Sequence, residues 1–380
     1  MEFKNRILAL VIATVSAGCS TFEPSETIAM RPAHGESGDV AVEYAYVANY
    51  GAGNVSAYSV DVTTGVLTPV RGSPFAAGSD PNSVAIDPAG KTLYVANAYS
   101  NNISAFIIAA ASGALTQLKG SPFQAGYEPA GVAVDPAGRF AYVSNGAAAK
   151  SSVLGYAIGS GGALKALKRS PFKSGTAPQY VAIDPEGKFA YVPNSGSNNV
   201  SGYAIGSGGA LTALTGSPFG AGTNATGAAI DPTGKFIYVT NAGSKSVSAY
   251  TIASNGALTQ VRGSPFAAGT KPLGVTVDPT RRFVYVANFG SNNVSVYKIA
   301  SGGALSNVRG SPSSAGTEPA GVAVDPTGSF LYVANAGSNN VTAFAIDRNG
   351  ALTLVRGSPF AAGADPGAIA TCRVSAGKCE

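Results

Sequence analysis

Among the residue types that carry most enzyme chemistry, this 380-residue chain holds few. It has one histidine, His34, and three cysteines, Cys19, Cys372 and Cys379. A single histidine rules out a two-histidine metal site, and any Ser–His–Asp triad would have to use His34. Three cysteines cannot close a four-cysteine zinc site. No metal site and no cofactor is therefore expected. What remains are carboxylates, amides, lysines and tyrosines around a recurring proline. The residue before it reads Asp80, Glu128, Ala177, Asn224, Lys271, Glu318 and Asp365, with Ala225 replacing the proline in the fourth case. Just after it, Asn82, Gln179 and Tyr180 stand where other copies carry small residues such as Ala130 and Gly131. A run of carboxylates at one mouth would attract a cation, an amine or a basic protein patch. The two amides and the phenol would give polar contacts to a bound ligand, or simply fill or hydrate a channel.

The elements that must position these residues follow from an internal repeat. Tyr-Val-X-Asn begins at Tyr46, Tyr94, Tyr142, Tyr191, Tyr238, Tyr285 and Tyr332, at spacings of 47 to 49 residues. A V-A-I/V-D-P-x-G stretch (Val84 to Gly90), N-x-S-A-Y (Asn54 to Tyr58) and G-A-L-T-x-V (Gly256 to Val261) keep the same period. Each unit shows four short β-type runs. In one unit these are Val84–Ile86 (strand A), Leu93–Ala96 (B), Ile103–Ile107 (C) and Ala114–Leu118 (D). Asp87-Pro88-Ala89-Gly90 suits a type I turn joining A to B. Four strands per repeat, seven times, predict an all-β, seven-bladed β-propeller of antiparallel blades. The first unit begins at strand B (Tyr44–Ala48), and a spare strand A (Pro366–Thr371) ends the last. The spare strand is expected to join the N-terminal blade and close the ring.

Tyr238-Val239-Thr240-Asn241 spells Y-V-T-N, and residues 41–374 resemble the YVTN-repeat propellers, which are similar to seven-bladed lactonases of the 6-phosphogluconolactonase type. Because the strands run up and down, the B–C and D–A loops share one face, and the D–A loops reach the innermost strands at the mouth of a central channel. Lactonases of this type commonly carry a histidine two residues after the strand-A proline. Here those positions are Ser83, Gly131, Tyr180, Gly227, Gly274, Gly321 and Ala368, so the residue that would carry the family's chemistry is missing. Catalysis near neutral pH would need a carboxylate with a raised pKa or a lysine with a lowered one, with Asp80, Glu128 or Lys271 as the candidates.

Around a closed ring Glu318, Asp365, Asp80 and Glu128 fall on consecutive blades. Lys271, with Lys150, Lys173 and Lys245 in same-face loops, is expected on the other side. The repeated Asn after strand B reads as a turn cap, and the turn Asp as structural. Six units place a basic residue after strand D (Arg71, Lys119, Lys168, Arg262, Arg309, Arg356; the other has Thr215). These protect exposed edges, or form a basic rim that docks on anionic envelope polymers or lipid headgroups.

The ends carry separate signals. Lys4 and Arg6 precede the apolar run Ile7–Val15, too short for a span and suited to a secretory signal. Ser16-Ala17-Gly18-Cys19 resembles a bacterial lipobox, which implies cleavage before Cys19 and lipidation there; an ordinary signal peptide with an incidental Cys is the alternative. The expected division is 1–18 signal peptide, 19–40 flexible tether containing His34, 41–374 propeller and 375–380 tail. In an exported protein a Cys372–Cys379 disulfide would pin the tail, with free thiols as the alternative. A net charge of +5 with no basic–aromatic stripe argues against nucleic acid. A monomer is expected, anchored to the envelope by its lipid and reaching an envelope polymer, a protein or a small polar ligand through the mouth. The favoured reading is a non-catalytic binding module. A lactone hydrolase and a structural surface-layer component are the alternatives.

Overall fold

The computed structural model describes residues 42–375 and 378–379, with side chains as far as residue 374. Cys19, His34 and the expected signal peptide and tether lie outside the described residues. Seven antiparallel sheets form a seven-bladed propeller. We number the blades from the one that holds Tyr46, so blade 2 holds Tyr94. In blade 2 strand A is Pro81–Ile86, B is Thr92–Asn97 and C is Asn102–Ile108. Strand B is buried along its whole length, flanked by strands on both sides and by neighbouring blades.

Strand D departs from the expectation. It is two short pieces, Leu115–Gln117 and Phe123–Gln124, both paired with strand C. The Gly-Ser-Pro between them interrupts the ladder, because proline has no N–H to donate. Ser121 repairs the gap, its hydroxyl accepting the strand-C N–H of Ala105 at 2.8 Å. The same Ser stitch recurs at Ser73, Ser217 and Ser264.

The ring closes as the chain ends imply. Val42–Asn49 pairs antiparallel with the C-terminal strand, Tyr46 lying opposite Ala370. That strand runs over Pro366–Ser375, longer than expected, and then pairs with Lys378–Cys379. Cys372 stands where other blades carry the turn Asp; blade 1 takes strands A and B from far-separated parts of the chain, so no A–B turn joins them, and strand A continues. Cys372 is buried and disulfide-bonded, while the side chain of Cys379 lies outside the described residues.

Between blades, each Tyr of the Tyr-Val-X-Asn motif is fully buried. In every blade but that of Tyr285, whose buried hydroxyl has no partner, the hydroxyl donates to a glycine carbonyl in the C–D turn of the next blade, as from Tyr94 to Gly162 at 2.8 Å and, across the closure, from Tyr332 to Gly65 at 3.1 Å. A buried aromatic with its polar tip satisfied combines apolar burial with a directional bond. The motif Asn does more than cap a turn. Asn97 donates to Asn102 and Ser104 on strand C, and Asn241 accepts the N–H of Gly222 in the preceding D–A loop. It therefore ties three segments together. The turn Asp is structural as read: Asp135 accepts the N–H groups of Arg139 and Phe140.

Candidate ligand site at the channel mouth

The residue before the strand-A proline has φ between +48° and +57° in all seven blades, Asp80, Glu128, Lys271, Glu318 and Asp365 included. The left-handed region costs a non-glycine residue roughly 1–2 kcal/mol, and the loops supply the compensation. The N–H of Glu128 is bonded to Asn101 Oδ1 in the preceding blade at 2.8 Å, and Asn339 holds Asp365 at 2.9 Å. The carbonyls of Asp80 and Asp365 accept the N–H groups of Ala98 and Tyr50, each at 2.8 Å. With the main chain committed to this latch between blades, the identity of the side chain is left open. That is why carboxylate, amide, methyl and ammonium groups share one backbone geometry.

Four of these side chains are brought together. Asp365 feels Glu318 and Asp80, and its carboxyl is raised above the ordinary range by partial burial first and by those two charges next. Tyr50, directly after the motif Asn of blade 1, hydrogen-bonds Asp80 and also lies within the field of Asp365 and Glu128. Burial and that bond raise its phenol. Tyr50, Asp80, Asn82, Tyr99, Glu128 and Gln179 line a hollow of about 350 Å³. Beside it Tyr99, Tyr127, Glu128 and Lys150 border a second, open hollow. Tyr99 is 77% and Tyr127 52% exposed.

The expected charge division needs correcting at one residue. Lys150 does not lie apart from the acids. Its Nζ sits 3.4 Å from the centre of the Tyr127 ring, beside Glu128, and lowers the Tyr127 phenol. Lys271 is exposed and lines neither hollow. Asn82 faces the first hollow but spends its Nδ2 on the Ala130 carbonyl at 3.1 Å. Gln179 donates to Ala177 and Ser195.

Tyr180 belongs deeper. It lines a hollow of about 220 Å³ with Ser83, Gly227, Gly274, Gly321 and Ala368, to which every blade contributes. Burial raises its phenol. The Gln179–Tyr180 segment also breaks its own strand A, which keeps only Ala182–Ile183 and a bridge from Pro178 to Asn194. It leans on blade 3 so closely that a Cβ on Gly131 would meet Gln179 O and Tyr180 Cα at 2.8 Å. The glycines around the channel are thus set by backbone approach, and Tyr180 is the one bulky polar side chain in its lining. Among the described residues no three His, Cys, Asp or Glu side chains converge closely enough to hold a metal ion.

The sequence reading missed Tyr50, Tyr99 and Tyr127. Tyr50 had a visible signal, since five other blades carry Ala98, Gly146, Ser195, Ala242 and Ala336 at its place and only Phe289 is also aromatic.

A seven-bladed ring with a polar mouth and a narrow glycine-walled channel is the architecture of the lactonase-type propellers. The chain belongs to that family: the model of the lactonase, 7-bladed beta-propeller family matches residues 1–126, 119–222 and 228–366. Among solved structures, a candidate 6-phosphogluconolactonase from Bacteroides fragilis is 21% identical, covering 88% of this chain and 99% of its own, at a TM-score of 0.75. The Pseudomonas aeruginosa periplasmic gluconolactonase is 22% identical, covering 87% and 99%, at 0.73. These likenesses show the fold. A search of the curated proteins gave no significant match.

Proposed function

We propose that this chain is an envelope-anchored propeller that binds, without turning over, a cationic or amine-bearing ligand at the channel mouth. The observation that carries the reading is Tyr50 set among Asp80, Asp365 and Glu128, beside the exposed rings of Tyr99 and Tyr127. Carboxylates and open aromatic faces together suit a cation with an apolar or sugar body. The same field repels an anion, which weighs against 6-phosphogluconolactone. The channel itself has Ser83 and Tyr180 but no carboxylate or imidazole among its lining residues. Titration calorimetry with chitosan oligomers and spermidine tests the reading. Binding should weaken about tenfold in Asp80→Asn/Glu128→Gln, on the order of 1.4 kcal/mol. Equal affinity in that variant would sink it.

One observation favours a second reading. Asp365 has a raised pKa, as a general base requires, and it would suit hydrolysis of an uncharged lactone such as gluconolactone. Turnover of a lactone panel that disappears in Asp365→Asn would select this reading over the first. Envelope anchoring rests on the lipobox resemblance at Cys19 and is tested by palmitate incorporation that Cys19→Ser abolishes.

A further inference from the structure

A further hollow lies away from the mouth, on the opposite face. It measures about 570 Å³ and sits between blades 6 and 7, bordered by the A–B turn of one and the C–D turn of the other. Its lining includes Arg281, Arg282, Lys298, Arg309 and Arg348, against one carboxylate, Asp347. That is a local excess of four positive charges, in a chain whose whole net charge is +5. Asp347 offers little compensation, because its Oδ1 already accepts the N–H groups of Asn349 and Ala351. None of the five cations joins either of the two salt bridges among the described residues.

The cluster is not a by-product of the repeat. Only Arg282 and Arg309 occupy places where most blades are basic. Arg281 stands where the other A–B turns have Gly90, Gly138, Gly187, Gly234 and Gly328, and it keeps their positive φ, at 61°. A side chain there costs about 1 kcal/mol relative to glycine, so the arginine works against the local backbone. Lys298 matches Thr251 of blade 5, and Arg348 matches Ser301 of blade 6. One arginine is already positioned: Arg282 donates from Nη1 to the Arg348 carbonyl at 2.9 Å and from Nε to Thr280 Oγ1 at 2.7 Å.

We infer that this groove is a binding site for an anionic glycan, one bearing carboxylate or sulfate groups. Four of the five cations are arginines, whose planar forks suit oxyanions. Ser306, Asn307 and Asn349 in the same lining can hydrogen-bond sugar hydroxyls. Nucleic acid fits less well: the one aromatic in the groove, Phe283, is buried, and single strands are held by stacking on open rings. A flat lipid surface would not use a re-entrant groove.

The test uses the full chain and Arg281→Gly/Lys298→Thr/Arg348→Ser, which takes each residue from a sibling blade and so keeps local structure compatible with the fold. Binding of polygalacturonate, dextran sulfate, neutral dextran and single-stranded DNA is measured at low and physiological salt. The expected result is binding of both charged glycans and not of neutral dextran. Affinity should fall as salt rises and should be about tenfold or more weaker in the triple variant, since three exposed charge contacts are lost. Absence of binding to either charged glycan, or unchanged affinity in the triple variant, overturns the inference. Tighter binding of DNA than of both glycans, lost on the same substitutions, reassigns the groove to nucleic acid and overturns it equally.

Discussion

Glu43 offers the sharpest test of the forces at the ring closure. Its side chain is 1% exposed, and neither carboxyl oxygen has a hydrogen-bond partner. Equivalent positions in five of the other blades carry Lys91, Arg139, Lys188, Lys235 and Arg282, and the sixth carries Ser329. In blade 1 the C-terminal strand continues past Cys372 and covers this place, pairing Arg373 opposite Glu43. Burial, then the charge of Asp325 in blade 7, raise the carboxyl to about 8, with Arg373 pulling the other way. Tyr332 also lies within its field. Between an ordinary carboxyl pKa and 8 the folded state keeps a proton that the unfolded chain has released. Stability must therefore fall as pH rises through that window, by about 1.4 kcal/mol per unit. Glu43→Gln removes the titration while keeping shape. Relative to the parent, the variant should gain about 2–3 kcal/mol between pH 5.5 and pH 7.5. Urea unfolding followed by near-ultraviolet circular dichroism of the tyrosines reads this difference. A stability difference between the two proteins that stays constant over that range would refute a neutral buried carboxyl at the seam.

Other outcomes follow from single contacts. Asn97→Ala loses bonds to Asn102 and Ser104 at a fully buried site and should cost about 1–3 kcal/mol in urea unfolding, with affinity at the mouth unchanged. Gly131→Ala forces a Cβ to 2.8 Å from the Gln179 carbonyl. It should lower the melting temperature by several degrees, as about 1–3 kcal/mol of overpacking does. Arg281→Gly relieves a left-handed arginine and should raise stability by about 1 kcal/mol while weakening the binding of polygalacturonate. Because the Asp365 carboxyl is raised, amine binding at the mouth should decline as pH falls through its pKa, from a higher pH than an ordinary Asp would show. Asp365→Asn should remove that part of the profile in calorimetry.

The blades were legible because each repeated residue has a job that its type announces: Tyr46 and its six equivalents to fill the space between blades, Asp135 to tie a turn, Gly131 to admit a neighbouring backbone. The closing strand was legible too, from one A strand too many at the end and one too few at the start. The split of strand D is marked only by Gly120-Ser121-Pro122, whose proline lacks the N–H that an unbroken ladder needs. At the mouth the acids could be counted from the D–A loops alone, since the latch backbone fixes their place. Tyr50 and Tyr99 arrive from the B–C loops, and Lys150 folds over Tyr127. These are side-chain meetings between separate loops, which spacing along the chain does not encode. Of the groove cations, Arg309 is visible in the basic rim after strand D and Arg282 repeats between blades; Arg281, Lys298 and Arg348 show only as departures from the repeat, on the face opposite the mouth.

A departure from the repeat is not by itself a functional mark, and the physical cost separates the kinds. Cys372 and Glu43 depart because the ring needs a closing strand, and their surroundings account for both: the strand runs on, and the carboxyl it covers is neutralised. Tyr180 departs and lines the channel. Tyr99, Tyr127, Lys298 and Arg348 are exposed and close no gap between blades, while Arg281 opposes its own backbone. Ring closure and burial therefore account for the first group with no ligand invoked and leave the second unexplained by folding. The second group falls into two clusters of opposite character, aromatic and acidic at one end of blades 1 to 3 and basic at the other end of blades 6 and 7. Closing the ring calls for neither cluster, and the two proposed sites, for an amine-bearing ligand and for an anionic glycan, account for one each. Double variants should then be additive in the two binding assays, because the sites share no residue and lie on opposite faces.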